Sequence, residues 1–165
     1  MSESVPEVEP ARIPLKGVLL GIDYGTVRVG FAVSDPDRII ASPLETYTRK
    51  HTPADATHYA KVALDHRAVA LIVGLPLHAN GDESDSSRAA RQFGAELAAI
   101  TGLPAVFWDE RLTTWMAEEA LLGAKLSHKK RKERRDRVAA QMILRAYLEA
   151  GCPPEGTVVV PNSLG

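Results

Sequence analysis

Val18-Leu19-Leu20-Gly21-Ile22-Asp23, then Tyr24-Gly25-Thr26, then Arg28-Val29-Gly30-Phe31-Ala32-Val33-Ser34, is the stretch that decides the fold. The first run is almost wholly apolar, as a strand buried on both faces must be, and it ends on a carboxylate. Tyr24-Gly25-Thr26 supplies a turn, so the two runs predict a β-hairpin. Asp35-Pro36-Asp37 is a second turn signal, and Arg38 to Tyr47 is expected to contain a third strand. Beyond it the rhythm changes. A helix is expected over Pro53 to Arg67 and a buried strand over Val69 to Val73, ending at Gly74-Leu75-Pro76. A second helix is expected within Ser86 to Thr101, where Phe93, Leu97 and Ile100 recur at helical spacing. Val106-Phe107-Trp108 reads as a fifth strand entering Asp109-Glu110-Arg111. A short helix from about Thr114 to Leu122 and a last one from about Lys132 to Ala150, stopped by Gly151 and Pro153, complete the pattern. Antiparallel strands followed by strand–helix alternation predict an α/β domain with a five-stranded mixed sheet and helices on both faces.

The chain's 165 residues, 45% hydrophobic and 25% charged, suit one soluble domain. Residues 1–15, with Pro6, Pro10 and Pro14 among glutamates, read as a disordered leader. Residues 16–151 form the expected domain and 152–165 a tail. No apolar run approaches the ~18 residues of a membrane span, and the start lacks the layout of a signal peptide, so a cytoplasmic protein without a membrane partner is expected. Cys152 is the only cysteine, which excludes an internal disulfide and a cysteine metal cage.

A net charge of −1 argues against a nucleic-acid partner only until its distribution is considered. Lys125, Lys129, Lys130, Arg131, Lys132, Arg134, Arg135 and Arg137 face only Glu133 and Asp136 in the same stretch. Local potential steers a polyanion. The run leads directly into Asp136, so Lys129, Lys130, Arg131 and Lys132 are expected to contact phosphates. The alternative is a solvated helix start. Lys125 to Arg131 is expected as a loop that orders on substrate.

Three carboxylates stand where structure alone explains them poorly. Asp23 ends an apolar strand, Glu110 lies just past another, and Asp136 shares a helical stripe with Ala140, Ile143 and Tyr147 that should meet the sheet. Acids facing one point repel unless a cation sits among them. Hard ions such as Mg²⁺ or Mn²⁺ are held by a few carboxylates plus substrate phosphate oxygens, and two such ions can drive phosphodiester hydrolysis. Each acid also has a simpler reading. Asp23 could accept hydrogen bonds from the Gly25-Thr26 turn, Glu110 could pair with Arg111 or Arg28, and Asp136 could serve the helix dipole. Arg28 could clamp a phosphate or balance charge, and Arg111 reads as charge balance.

These residues lie in blocks that resemble a known family. Gly21-Ile22-Asp23-Tyr24-Gly25-Thr26-Val27-Arg28-Val29-Gly30 is similar to the opening signature of the YqgF/RuvX family. Gly74-Leu75-Pro76-Leu77, Asp109-Glu110-Arg111-Leu112-Thr113-Thr114 and Asp136-Arg137-Val138-Ala139-Ala140-Gln141 resemble its later blocks, in order. The resemblance spans about residues 17–150. It implies an RNase H-like fold and a metal-dependent nuclease that matures the 5′ end of pre-16S ribosomal RNA, with Asp23, Glu110 and Asp136 as catalytic metal ligands. Branched DNA is the alternative substrate, which would call for a homodimer rather than a monomer. A non-catalytic RNA- or transcription-complex-binding module is the reading from outside enzymology. His78-Ala79-Asn80 departs from the family's pattern before Gly81, in a loop near the expected cleft.

Other chemistries are less well supported. Asp23-Tyr24-Gly25-Thr26 also resembles the first phosphate loop of actin-like ATPases, but those need two such cores to enclose a nucleotide. No Walker-type lysine loop occurs. The five histidines show no ligand spacing, and Trp108 and Trp115 read as core more readily than as base-stacking platforms.

Overall fold

The computed structural model describes residues 13–112, 128–153 and 158–159, with backbone alone for residues 112, 128–135 and 158–159. The chain runs β1 (Val18–Asp23), β2 (Arg28–Ser34), β3 (Ala41–Thr48), α1 (Pro53–Asp65), β4 (Ala68–Leu75), α2 (Asp85–Thr101), β5 (Ala105–Asp109), a single 3₁₀ turn (Glu110–Leu112), α3 (His128–Glu149) and β6 (Val158–Val159). The sheet order is β3-β2-β1-β4-β5-β6. β1 pairs antiparallel with β2 and parallel with β4, so the hairpin and the strand–helix alternation meet at β1. The five expected strands are therefore present as a mixed sheet. The two-residue β6 pairs antiparallel with β5 and extends the sheet by one short strand.

Side-chain alternation along the strands divides the core into two layers. Leu20, Ile22, Val29, Phe31, Leu71, Val73 and Phe107 meet Tyr59 and Val62 of α1 and Phe93 and Leu97 of α2 on one face. Leu19, Ala32, Ala70, Ile72 and Val106 meet Ala140, Ile143, Leu144 and Tyr147 of α3 on the other. Burying each of the larger side chains is worth about 1.5–3 kcal/mol, so these layers carry the fold. The predicted stripe of α3 is the one that meets the sheet: Ala140, Ile143 and Tyr147 are fully buried.

The helix ends follow local chemistry. Ser84 caps α2 in a reciprocal capping box with Ser87, and Gly102 closes it with φ +73°. α3 begins at His128, four residues before the expected start. This corrects the expectation of a loop for residues 128–131, because lysine and arginine are good helix formers and the charged run continues the helix. Residues 125–127 and the helix expected at Thr114 to Leu122 lie outside the described residues. Among the described residues, no helix is long and apolar enough to cross a membrane.

Candidate active site

The face of the sheet toward α3 is cut away at the end where β1 and β4 terminate. In β1 this face carries Leu19, Gly21 and Asp23, and in β2 it carries Arg28, Gly30 and Ala32. In β4 it carries Ile72 and Gly74. A side chain on Gly30 would overlap the main-chain carbonyl of Asp136. One on Gly74 would lie 2.5 Å from Oε1 of Glu110 and 2.6 Å from Ile143. The missing side chains give Asp136 and Glu110 their places. The register completes the arrangement, since Asp23 is the cross-strand partner of Gly30. Asp136 therefore sits over the residue beside Asp23.

Glu110 is the first residue of the 3₁₀ turn after β5 and lies across Gly74. Burial raises the pKa of Glu110 to about 7, the neighbouring Asp109 charge adds to this, and the nearby Asp23 side chain opposes it. Asp109 moves the other way, held below the usual carboxylate range by Arg111, which donates to it from both Nε and Nη2. Two adjacent acids thus have opposite surroundings, one balanced by arginine and one set against a carboxyl.

Asp136 is paired differently. Nε of Arg28 donates to its Oδ2 at 2.7 Å, and both side chains are partly buried. The sequence-predicted residues consequently divide into a carboxyl pair, Asp23 with Glu110, and an ion pair, Arg28 with Asp136. Among the described residues, no group of three acidic, histidine or cysteine side chains is close enough to hold a metal ion. Lys129, Lys130, Arg131 and Lys132 lie in the first turns of α3, the helix whose Asp136 reaches this site.

Two loops frame the acids. The Leu77–Asp82 segment is closed by His78 N–H on the Asp82 carbonyl (2.9 Å) and Gly81 N–H on the His78 carbonyl (2.8 Å). Arg111 ties it to the β5 end through Nη1 on the Ala79 carbonyl at 3.1 Å. The departure at His78-Ala79-Asn80 is thus accommodated in a compact turn, where Asn80 accepts from the Asp82 N–H at 3.0 Å. The second loop, Tyr24-Gly25-Thr26, follows Asp23 directly. Arg49 holds it, with Nη1 on the Gly25 carbonyl at 3.2 Å and on the Tyr24 hydroxyl at 3.3 Å. The same guanidinium lies 5.3 Å from the ring centroids of both Tyr24 and Phe93.

Arg49 is the positioning residue that sequence reasoning missed. Its signal lies in the hairpin: Arg28 pairs with Thr48, which brings Arg49 beside Val27 at the mouth of the loop. Trp108 belongs to the core, edge-on to Tyr147 at 5.5 Å. Trp115 lies outside the described residues.

The strand order places carboxylates at the ends of β1 and β5 and on the covering helix. The family model "RuvX: Holliday junction resolvase" matches residues 17–150, and the chain belongs to this family. It is 46% identical over 137 residues to a protein of Rhodopirellula baltica named "Putative pre-16S rRNA nuclease", covering 83% of this chain and 79% of that one. A Bradyrhizobium relative of the same name is 40% identical over 146 residues, covering 88% and 91%. Among solved structures the chain is similar to T. thermophilus RuvC in complex with Holliday junction substrate, with TM-score 0.49, 16% identity and coverage of 82% and 96%.

Proposed function

We propose that this protein is a divalent-metal-dependent nuclease that cleaves phosphodiester bonds in the 5′ region of pre-16S ribosomal RNA. The observation that carries the proposal is the Asp23–Glu110 carboxyl pair at adjoining strand ends, seated over Gly74. A structural role would favour an arginine or backbone donors around such acids. Here two carboxyl groups adjoin at strand ends, a donor set that suits a hard cation. Asp23 and Glu110 would hold Mg²⁺ or Mn²⁺, with Asp136 as the third ligand. When bound, a pair of such ions activates the attacking water and stabilises the leaving oxygen.

The chain's own residues do the rest. Glu110, whose pKa burial raises to about 7, would lose its proton as the site fills. Arg111 would keep Asp109 out of the ligand set, with Nε donating to Oδ1 and Nη2 to Oδ2. Arg49 fixes the turn after Asp23, and so fixes the direction from which that carboxylate points. Lys129, Lys130, Arg131 and Lys132 would position the strand by its phosphates, which carry no sequence information themselves. The RNA preference rests on the names of the relatives.

The family description favours a second reading, cleavage of branched DNA. Both readings are tested by offering labelled structured RNA, single-stranded RNA and a four-way DNA junction side by side, with Mg²⁺, with Mn²⁺ and with chelator. Cleavage of structured RNA that chelator abolishes supports the proposal. Junction-only cleavage supports the second reading, and no cleavage of any substrate returns the protein to the class of binding modules.

A further inference from the structure

Asp136 is the acid that stands apart, and Arg28 is the reason. Arg28 and Gly30 lie on the same face of β2, and the Asp136 main chain is seated on Gly30, opposite Asp23. The main chain of Asp136 is thus seated next to Asp23 on the sheet, while its carboxylate is taken by the Arg28 guanidinium. The ion pair is neither surface decoration nor deep core, since the two side chains are 27% and 18% exposed. Nε of Arg28 is the atom that donates to Asp136, and its guanidinium is a planar fork of the shape suited to phosphate.

Resting on the metal-nuclease reading, we infer that Arg28 is a latch exchanged between Asp136 and the substrate. In the metal-free protein its guanidinium occupies the carboxylate that the metal site lacks. When Asp136 turns to a divalent ion, Arg28 is released beside the site with a partly buried charge that no longer has a partner. Such a charge is costly until an anion meets it, and a phosphate of the bound strand is the anion at hand. Metal and phosphate then favour each other's binding, each removing a cost the other would bear alone. The reciprocal consequence is that a protein without Arg28 binds metal more tightly but loses its dependence on nucleic acid.

The test is made first on the wild-type protein, so it does not depend on a variant folding. With ¹⁵N-arginine label, the Arg28 Nε–H signal, assigned by its loss in Asp136→Asn, is expected to be protected from exchange without metal and to lose that protection as Mg²⁺ is added. Calorimetry is expected to show Arg28→Gln binding Mg²⁺ about 5-fold or more tighter than wild type, the lower end of usual coupling factors. With Ca²⁺ as the ion and a short single-stranded RNA present, ion affinity should rise by a similar factor in wild type and stay constant in Arg28→Gln. A protected Arg28 signal that saturating Mg²⁺ leaves unchanged, while calorimetry shows Mg²⁺ binding that Asp23→Asn abolishes, overturns the latch and spares the metal site. Equal coupling in Arg28→Gln also overturns the latch. If Mg²⁺ neither moves the Arg28 signal nor binds by calorimetry, the metal reading falls and the latch falls with it.

Discussion

The two faces of the sheet are built to opposite rules. Toward α1 and α2 the strands present large side chains, and Phe31, Tyr59 and Phe93 interlock with ring centroids 5.6–5.9 Å apart. Toward α3 the same strands present Gly21, Gly30, Gly74, Ala32 and Ala70, then Asp23 at the end. The first face fills volume and supplies stability. The second gives volume up so that a helix backbone can approach closely enough to set Asp136 beside Asp23 and to let Glu110 lie over β4. Both faces carry core, and the candidate site lies on the α3 face alone.

That difference can be broken from either side, and the largest effect is expected on the packed face. Leu97→Ala removes a fully buried side chain of α2 and should cost about 2–5 kcal/mol of unfolding free energy. Metal affinity should be kept, which denaturant unfolding beside calorimetry would show. On the other face, Gly30→Ala pushes a methyl group into the Asp136 carbonyl and should cost about 1–3 kcal/mol. Here the functional loss should exceed the stability loss, because α3 must lift. If Gly30→Ala retains full metal affinity, the close approach is not what assembles the acids.

Asp55 tests the packed face through pH. Burial raises its pKa, but N–H donors from Lys50 and His51 and the Tyr47 hydroxyl outweigh burial and hold it below the usual carboxylate range. A carboxylate with a lowered folded-state pKa stabilises the protein fully above its unfolded value, ~3.9, and loses that contribution as pH falls through the folded value. Asp55→Asn is expected to cost roughly 1.5–3 kcal/mol at neutral pH, the range of hydrogen bonds to charged groups. The gap to wild type should close in unfolding curves taken below about pH 4. A gap independent of pH would show that the charge plays no part.

The smallest stability effect should come from Arg49→Met. It gives up two ring contacts and the loop hydrogen bonds, with about 1 kcal/mol expected for an exposed-edge cation–π contact. Cleavage should nevertheless fall at saturating substrate, with Arg49→Lys restoring part of it. A loss confined to KM would place Arg49 with the substrate rather than with the Asp23 loop.

Much of this architecture was legible beforehand. The apolar run from Val18 to Ile22 and the turn after it identified the central hairpin, and the stripe through Ala140, Ile143 and Tyr147 identified the face of α3 that is buried. The three acids were found because each interrupts an apolar pattern. Their pairing was not legible, because it depends on which neighbour wins each carboxylate. Arg28 and Glu110 were both available to Asp136 and Asp23, and periodicity carries no information on that choice. Arg49 was missed for a similar reason: its role comes from hairpin register, which a residue count across a loop with a bulge near Phe31 does not give. β6 was hidden by its length, two residues in a stretch read as a tail.

The central claim is that Asp23 and Glu110 are paired to receive a divalent ion for phosphodiester cleavage. Its most direct test is the Asp23→Asn variant, which keeps the shape of the side chain and removes the ligand charge. Thermal unfolding with and without millimolar Mg²⁺ or Mn²⁺ should be recorded beside cleavage of the 5′ region of pre-16S RNA. The account predicts that wild type is stabilised by the ion and cuts the RNA. Asp23→Asn should fold as well or better without metal, show no metal-induced shift and leave the RNA intact. An Asp23→Asn protein that gains the same thermal shift and cuts as fast as wild type would contradict it.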